Sequence, residues 1–297
     1  MTDSQTILIT GATAGLGRHA ALHRAKKGHR VIATGRRPDA LAKLEKDAAG
    51  TALSTLVLDV NDAASIDAAV AEVDRRTSGD GLDVLVNNAG YGQMGPLELV
   101  SDDELRRQFD TNVFGLMAVT RAFLPKMRER GHGRILNVSS IGGHVTFPFG
   151  GAYHASKYAV EALSDALRKE LRIFGIDVVL IEPGPIQSEF ADRALGTLAR
   201  QVDVDSPYAP MLARAEEIKT KTDKMSAGPA VVSRAIERAI VSRRPRTRYM
   251  IPFSARLMVA MLVRMIPTRL ADWLMLRMMG MRRGSAAPAR LAVDTAV

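Results

Sequence analysis

The stretch TILITGATAGLG, Thr6–Gly17, begins as an apolar, β-branched run, passes three glycines and leads into residues suited to a helix. The run Thr6–Thr10 does not alternate with polar residues, which is the pattern of a strand covered on both faces. Gly11, Gly15 and Gly17 stand as Gly-x-x-x-Gly-x-Gly, a variant of the pattern that lets backbone approach a pyrophosphate closely. A helix opening directly behind adds free N–H groups and the positive end of its dipole. A glycine-rich turn that binds nothing could look the same, so the remainder of the chain has to decide.

Strand followed by helix recurs throughout. His29–Gly35, Thr55–Val60, Leu82–Gly90, Gly133–Ser140 and Asp177–Gly184 are further apolar runs, and Arg248–Pro252 is a seventh. Helices are expected over 18–27, 39–48 and 64–75, from about 101, and over the segment YHASKYAVEAL. The alternation predicts an α/β fold: a Rossmann-type doubly wound parallel sheet of about seven strands flanked by helices, with a C-terminal helical extension. Residues 1–252 read as one domain, since no repeat or linker interrupts them, and ligands are expected at the carboxyl ends of the strands.

The strand ends carry polar residues of the right kind. After the second strand stands Gly35 where an acid would accept hydrogen bonds from a ribose. Arg36 and Arg37 follow, guanidinium groups suited to a 2′-phosphate, which favours NADP(H) over NAD(H). Asp59 and Val60 close the third strand, where the carboxylate could receive an adenine amino group. Asn87-Asn88-Ala89-Gly90 closes the fourth. In YHASKYAVEAL, Tyr153 and Lys157 are four residues apart and share a helix face, whereas Tyr158 points about 100° away.

TGATAGLG, NNAG, NVSS, YHASK and PG, in this order and spacing over about residues 5–190, resemble the single-domain short-chain dehydrogenase/reductase family. VTFPFGGAY and FGIDVVLIEPGPI are most similar to its 17β-hydroxysteroid and retinol dehydrogenase branch. The resemblance implies a catalytic set of Asn112, Ser140, Tyr153 and Lys157. Tyr153 would be the acid/base, Ser140 would hold the substrate oxygen and Asn112 would support a water path to Lys157. It implies cofactor contacts from Gly11, Thr13, Gly15, Leu16, Gly17, Asn88, Ala89 and Gly90, and from Pro183, Gly184, Ile186 and Ser188 at the nicotinamide. Tyr153 and Lys157 would meet the cofactor as well, and residues 189–228 would form a substrate lid. Met94, Phe147 and Phe149 are candidates for an apolar pocket taking a lipophilic alcohol or ketone, with core packing as the other reading of both phenylalanines. A homodimer or homotetramer is the common assembly of the family. A cofactor sensor without turnover, or a membrane-surface adaptor, is the rival function.

Composition narrows this further. The absence of cysteine excludes a disulfide framework and a thiolate site. The six histidines have no carboxylate close by in sequence, so they read as structural and no metal is expected. The N-terminus shows no signal-peptide pattern, and a cytoplasmic protein is expected. The net charge of +9 belongs to the chain from Arg243 onward, which holds 11 basic and 2 acidic residues, while the preceding part is balanced. Nucleic-acid binding is therefore not expected of the main domain. Residues 253–283 form two apolar segments broken at Pro267, with arginines at 256, 264, 269 and 277, seven of the methionines and the single tryptophan, Trp273. Thr268 could cap the second helix and Gly280 end it. This extension either covers the pocket or a neighbouring subunit, or lies peripherally on anionic lipid. Residues 284–297 read as a loose tail.

Overall fold

A computed structural model describes residues 4–203 and 205–281. The expected tail, 284–297, lies outside the described residues. Seven strands form one parallel sheet: β1 Thr6–Ile9, β2 Arg30–Gly35, β3 Leu53–Val57, β4 Val84–Asn87, β5 Gly133–Val138, β6 Ile176–Pro183 and β7 Arg248–Ile251. Their order is β3-β2-β1-β4-β5-β6-β7. Ile7 pairs with Val31 on one side and Val84 on the other, so β1 is central and the connections reverse direction at its edge with β4. That reversal opens a crevice at the carboxyl ends.

The helices are α1 Gly15–Lys26, α2 Pro38–Asp47, α3 Ala63–Thr77, α4 Asp102–Phe109, α5 Leu116–Arg130, α6 Gly151–Glu170, α7 Glu189–Gln201, α8 Ala209–Met225, α9 Ala230–Val241, α10 Phe253–Ala260 and α11 Thr268–Met278. Alternation along each strand divides the core in two. Ile7, Ile9, Val31 and Val179 face Ala20 and Ala21 of α1 and Ile236 and Ile240 of α9. Leu8, Ile32, Leu85 and Val178 face Ile66 and Val73 of α3 and Val119 and Phe123 of α5. Both faces are covered, which is why the strands carry unbroken apolar runs.

Some boundaries differ from expectation. β3 runs over Leu53–Val57 instead of 55–60, because Gly35 at the end of β2 pairs with Val57 and the ladder stops there. Asp59 turns out of the sheet, its N–H donating to the Ser65 hydroxyl at 2.9 Å. α11 takes Pro267 as its cap, so Thr268 begins the helix instead of capping it. Gly280, at φ +66°, ends it as expected, with the Met281 N–H donating to the Leu276 carbonyl at 2.8 Å. Between α4 and α5 the backbone passes through a π-helical segment, Asp110–Gly115, that carries Asn112. Such bulges concentrate at functional sites.

Candidate active site

A cleft of about 760 Å³ lies across the carboxyl ends of six strands. The cofactor residues named from the sequence all line it except Gly17 and Arg37. Gly17 is buried beneath Asn88, and Arg37 is the exposed residue preceding α2. The turn after β1 fits a diphosphate on two grounds. Gly11 adopts φ +63°, and a Cβ there would lie 2.8 Å from the Ala89 Cα, so the β4 loop closes on bare backbone. Helix α1 also lacks any side-chain cap at Ala14 and any acid in its first turn. By contrast, Asp62 caps α3, and Ser101 with Glu104 forms a capping box on α4. This N-terminus, without a side-chain cap, opens on the cleft, and an anion is what it would accept.

Asn88 turns its side chain into the fold. Its Nδ2 donates to the carbonyls of Thr10 at 2.9 Å and Gly11 at 3.2 Å, which braces the glycine turn. At the end of β2, a side chain on residue 35 would meet Thr13 Cγ2 at 2.7 Å, so a carboxylate has no room there without displacing Thr13. Arg36, 70% exposed, stands beside this gap with Asp59 at 3.8 Å.

Ser140, Tyr153 and Lys157 converge on the cleft floor. Ser140 lies two residues beyond β5 and is pinned from two sides: its hydroxyl accepts from the Gly142 N–H at 3.0 Å and donates to the Pro183 carbonyl at 3.4 Å. Tyr153 and Lys157 lie on α6 one turn apart, and the Lys157 Nζ is 5.9 Å from the Tyr153 ring centre. Nζ also donates to the Val138 carbonyl at 2.9 Å. Burial pushes the Tyr153 phenol up to about 12, with Ser140 opposing. Burial also pushes the Lys157 ammonium down to about 8, with the Glu161 carboxylate opposing. Tyr153 therefore holds its proton more firmly, and Lys157 its own less firmly, than the free side chains do.

Asn112 lies behind the cleft instead of lining it. Its Oδ1 accepts from the Tyr91 N–H at 3.1 Å, and its Nδ2 donates to the Tyr91 carbonyl and the Ser156 hydroxyl, both at 3.0 Å. It holds the Tyr91 backbone in place through its side-chain amide. Tyr158, directed away from this face, is 44% exposed, and its hydroxyl donates to the His144 carbonyl at 2.5 Å.

The three pocket residues do not line the cleft. Phe147 packs with Ile141, Val145, Ala255 and Val259, on the side facing α10. Phe149 stands edge-on to Tyr208, ring centres 5.9 Å apart, and the Met94 N–H donates to Thr197 Oγ1 at 2.8 Å. The apolar wall is Phe190 instead, in the first turn of α7, with its ring 5.3 Å from that of Tyr153. Its position directly after PGPIQSE, as the first apolar residue of the segment 189–228, was the available signal. Residues 189–228 fold as α7 and α8, and Thr222 and Asp223 of α8 reach the cleft.

One further cluster adjoins the site. His144 is close to two carboxylates after all, 3.3 Å from Glu182 and 3.7 Å from Glu161, both buried. The cation among them is Arg248 of β7, 2.6 Å from Glu182, in contact with Glu161, and 2.7 Å from Asp165. Glu161 is one turn beyond Lys157, so a single face of α6 carries Tyr153, Lys157, Glu161 and Asp165. His19 and His23 act elsewhere, bonding to Ser233 and Glu237 and so holding α9 against α1.

Residues 5–197 match the family described as short chain dehydrogenase. The chain belongs to that family. The dehydrogenase is 36% identical to the 3-ketodihydrosphingosine reductase of Bacteroides thetaiotaomicron over 273 residues, covering 91% of this chain and 93% of that one. It is 34% identical to the NADPH-dependent 3-dehydrocapnine reductase of Ornithobacterium rhinotracheale over 269 residues, covering 89% and 94%. Among solved structures, a short chain dehydrogenase/reductase from Burkholderia phymatum in complex with NAD superposes with a TM-score of 0.75 at 26% identity, covering 88% of this chain and 93% of that one. This dehydrogenase is an oxidoreductase of the nicotinamide-dependent kind, with a seven-stranded Rossmann-type sheet.

Proposed function

We propose that this dehydrogenase interconverts a secondary alcohol and a ketone on a lipophilic substrate, prefers NADP(H), and uses Tyr153 as its acid/base. The observation that carries the reading is the convergence of the Tyr153 phenol, the Ser140 hydroxyl and the Lys157 ammonium beside a glycine turn built for a diphosphate. The bound nicotinamide supplies or accepts the hydride. Tyr153 donates its proton to the oxygen on which charge develops, and Lys157, one turn away, stabilises the resulting phenolate. Ser140, fixed by Gly142 and Pro183, orients the substrate oxygen. Phe190 excludes water from the tyrosine. A sensor without turnover would need none of these groups together. The named substrates of the two reductases, 3-ketodihydrosphingosine and 3-dehydrocapnine, favour a long-chain ketone.

The test is NADPH against NADH oxidation over a panel of long-chain and steroidal ketones. NADPH-dependent turnover is expected, and absence of turnover on every ketone alongside tight NADPH binding would favour the sensor. Arg36→Ala is expected to raise the KM for NADPH by about 10- to 100-fold, the worth of charge-assisted hydrogen bonds to one phosphate, and to leave NADH unchanged. Equal loss with both cofactors would mean that Arg36 does not read the 2′-phosphate.

The pH profile follows from Lys157. Reduction needs the ammonium charged and the phenol protonated, and Lys157, at about 8, loses its proton long before Tyr153, at about 12. The kcat/KM for reduction is expected to be level on the acid side and to fall about tenfold per pH unit above about 8. A profile level to pH ~10, the ordinary lysine value, would remove Lys157 from the proton chemistry.

A further inference from the structure

We infer that α10 and α11 seat the protein on an anionic membrane surface, a role separate from the oxidoreductase reading and independent of it. Among the described residues, eighteen large apolar side chains are exposed, and nine of them lie between Phe253 and Met278. Phe253, Leu257, Met261 and Met265 recur every four residues and so form a stripe along one side of the first segment, with Phe253 68% and Met265 76% exposed. On α11, Leu270 and Trp273 are one turn apart and exposed. These helices are not simply undocked, because their opposite face is already satisfied. Ala255 and Val259 are buried against Ile141 and Val145, next to Ser140, and a Cβ on Gly184 would lie 2.8 Å from that of Ala255. The exposed stripe is a second apolar face with no partner in the fold.

Charge selects the occupant. Arg256, Arg269 and Arg277 are exposed among these apolar residues, and Asp272 is the sole acid from Phe253 to Met281. The Arg277 guanidinium lies 5.6 Å from the Trp273 ring centre, an indole with a cation beside it, as suits the interface between hydrocarbon and headgroups. A second copy of the chain would bring one arginine-rich face against another, and like charges would oppose the contact. Nucleic acid would leave the apolar stripe uncovered. No helix among the described residues is long and apolar enough to cross a bilayer. An amphipathic face with interleaved arginines lying in the plane of an acidic lipid surface fits all of these features.

Trp273 is the only tryptophan in the chain, so its emission reports on this face alone. The full-length protein is mixed with phosphatidylglycerol-containing vesicles and, in parallel, with phosphatidylcholine vesicles. Co-sedimentation with the anionic vesicles at low salt, reversal at high salt and a blue shift of Trp273 emission are expected. Arg256→Glu/Arg269→Glu/Arg277→Glu should weaken partitioning on the order of a hundredfold, at about fivefold or more per arginine, with an unchanged circular dichroism spectrum. Leu257→Ser/Met261→Ser should abolish the blue shift in a protein with all its arginines. No sedimentation with anionic vesicles, or sedimentation that the arginine variant retains in full, would overturn the inference. So would a Trp273 emission that is already blue without lipid and reddens on dilution, since that would identify a second copy as the occupant. Turnover enters none of these readouts, so the seat and the oxidoreductase reading fail separately.

Discussion

Tyr153→Phe is expected to lower the turnover of ketone reduction by about 10²–10⁴-fold, the usual worth of one positioned proton donor. The substitution removes a single oxygen. Tyr153 is buried, and its ring packs on Phe190 at 5.3 Å and on His154 at 5.5 Å, contacts that phenylalanine retains. Fold and NADPH binding should therefore survive, and the loss should appear in kcat. Burial pushes the phenol up to about 12, well above both pH 6 and pH 8. The loss in the reduction direction should thus be the same at pH 6 and pH 8, a comparison that separates a missing donor from a shifted titration. Retention of more than about one-tenth of the turnover would mean that water or another side chain delivers the proton, and the assignment of Tyr153 would fall.

The second large effect concerns stability. Arg248→Met is expected to destabilise the protein by about 3 kcal/mol, measured by urea unfolding at neutral pH. Breaking a buried ion pair costs about 3–5 kcal/mol, and the lower end applies because the Arg248 side chain is 31% exposed. The loss comes from what remains behind. Glu182 and Glu161 are almost fully buried, and Arg248 and His144 are the cationic groups that form ion pairs with them among the described residues. Burial and the neighbouring Glu182 already hold the Glu161 carboxyl above its usual range. Its folded value exceeds its unfolded value, so the variant should regain stability as the pH falls and Glu161 takes up a proton. A loss below about 1 kcal/mol, or one that deepens in acid, would show that the cluster does not hold β7 to α6 and β6 as described.

Much of this molecule is legible in its sequence, for reasons that differ from place to place. The central strands are readable because both faces of the sheet are covered, which leaves runs such as Ile7–Ile9 and Val84–Val86 apolar throughout. Tyr153 and Lys157 are readable because helix geometry alone brings positions four apart together. What sequence does not carry is contact between distant segments. His144, Glu161, Glu182 and Arg248 come from a loop, a helix and two strands, and no local pattern joins them. Phe147 and Phe149 lie close to Tyr153 along the chain, yet the loop turns them toward α10 and Tyr208. Phe190, 37 positions after Tyr153, packs on the Tyr153 ring and supplies the apolar wall of the cleft. The end of β3 is set by its partner, since pairing stops at Gly35 whatever the hydrophobicity of the next three residues.

Helix α6 answers differently to a change of residue and to a change of length. Its four-residue rhythm places a proton donor, a cation and two carboxylates in line, and each can be replaced singly with the others still in register. Deleting one residue between Lys157 and Glu161 would turn the rest of the helix by about 100° and swing Glu161 and Asp165 off Arg248 together. Natural variants of this chain should therefore carry no insertions or deletions within this stretch of α6.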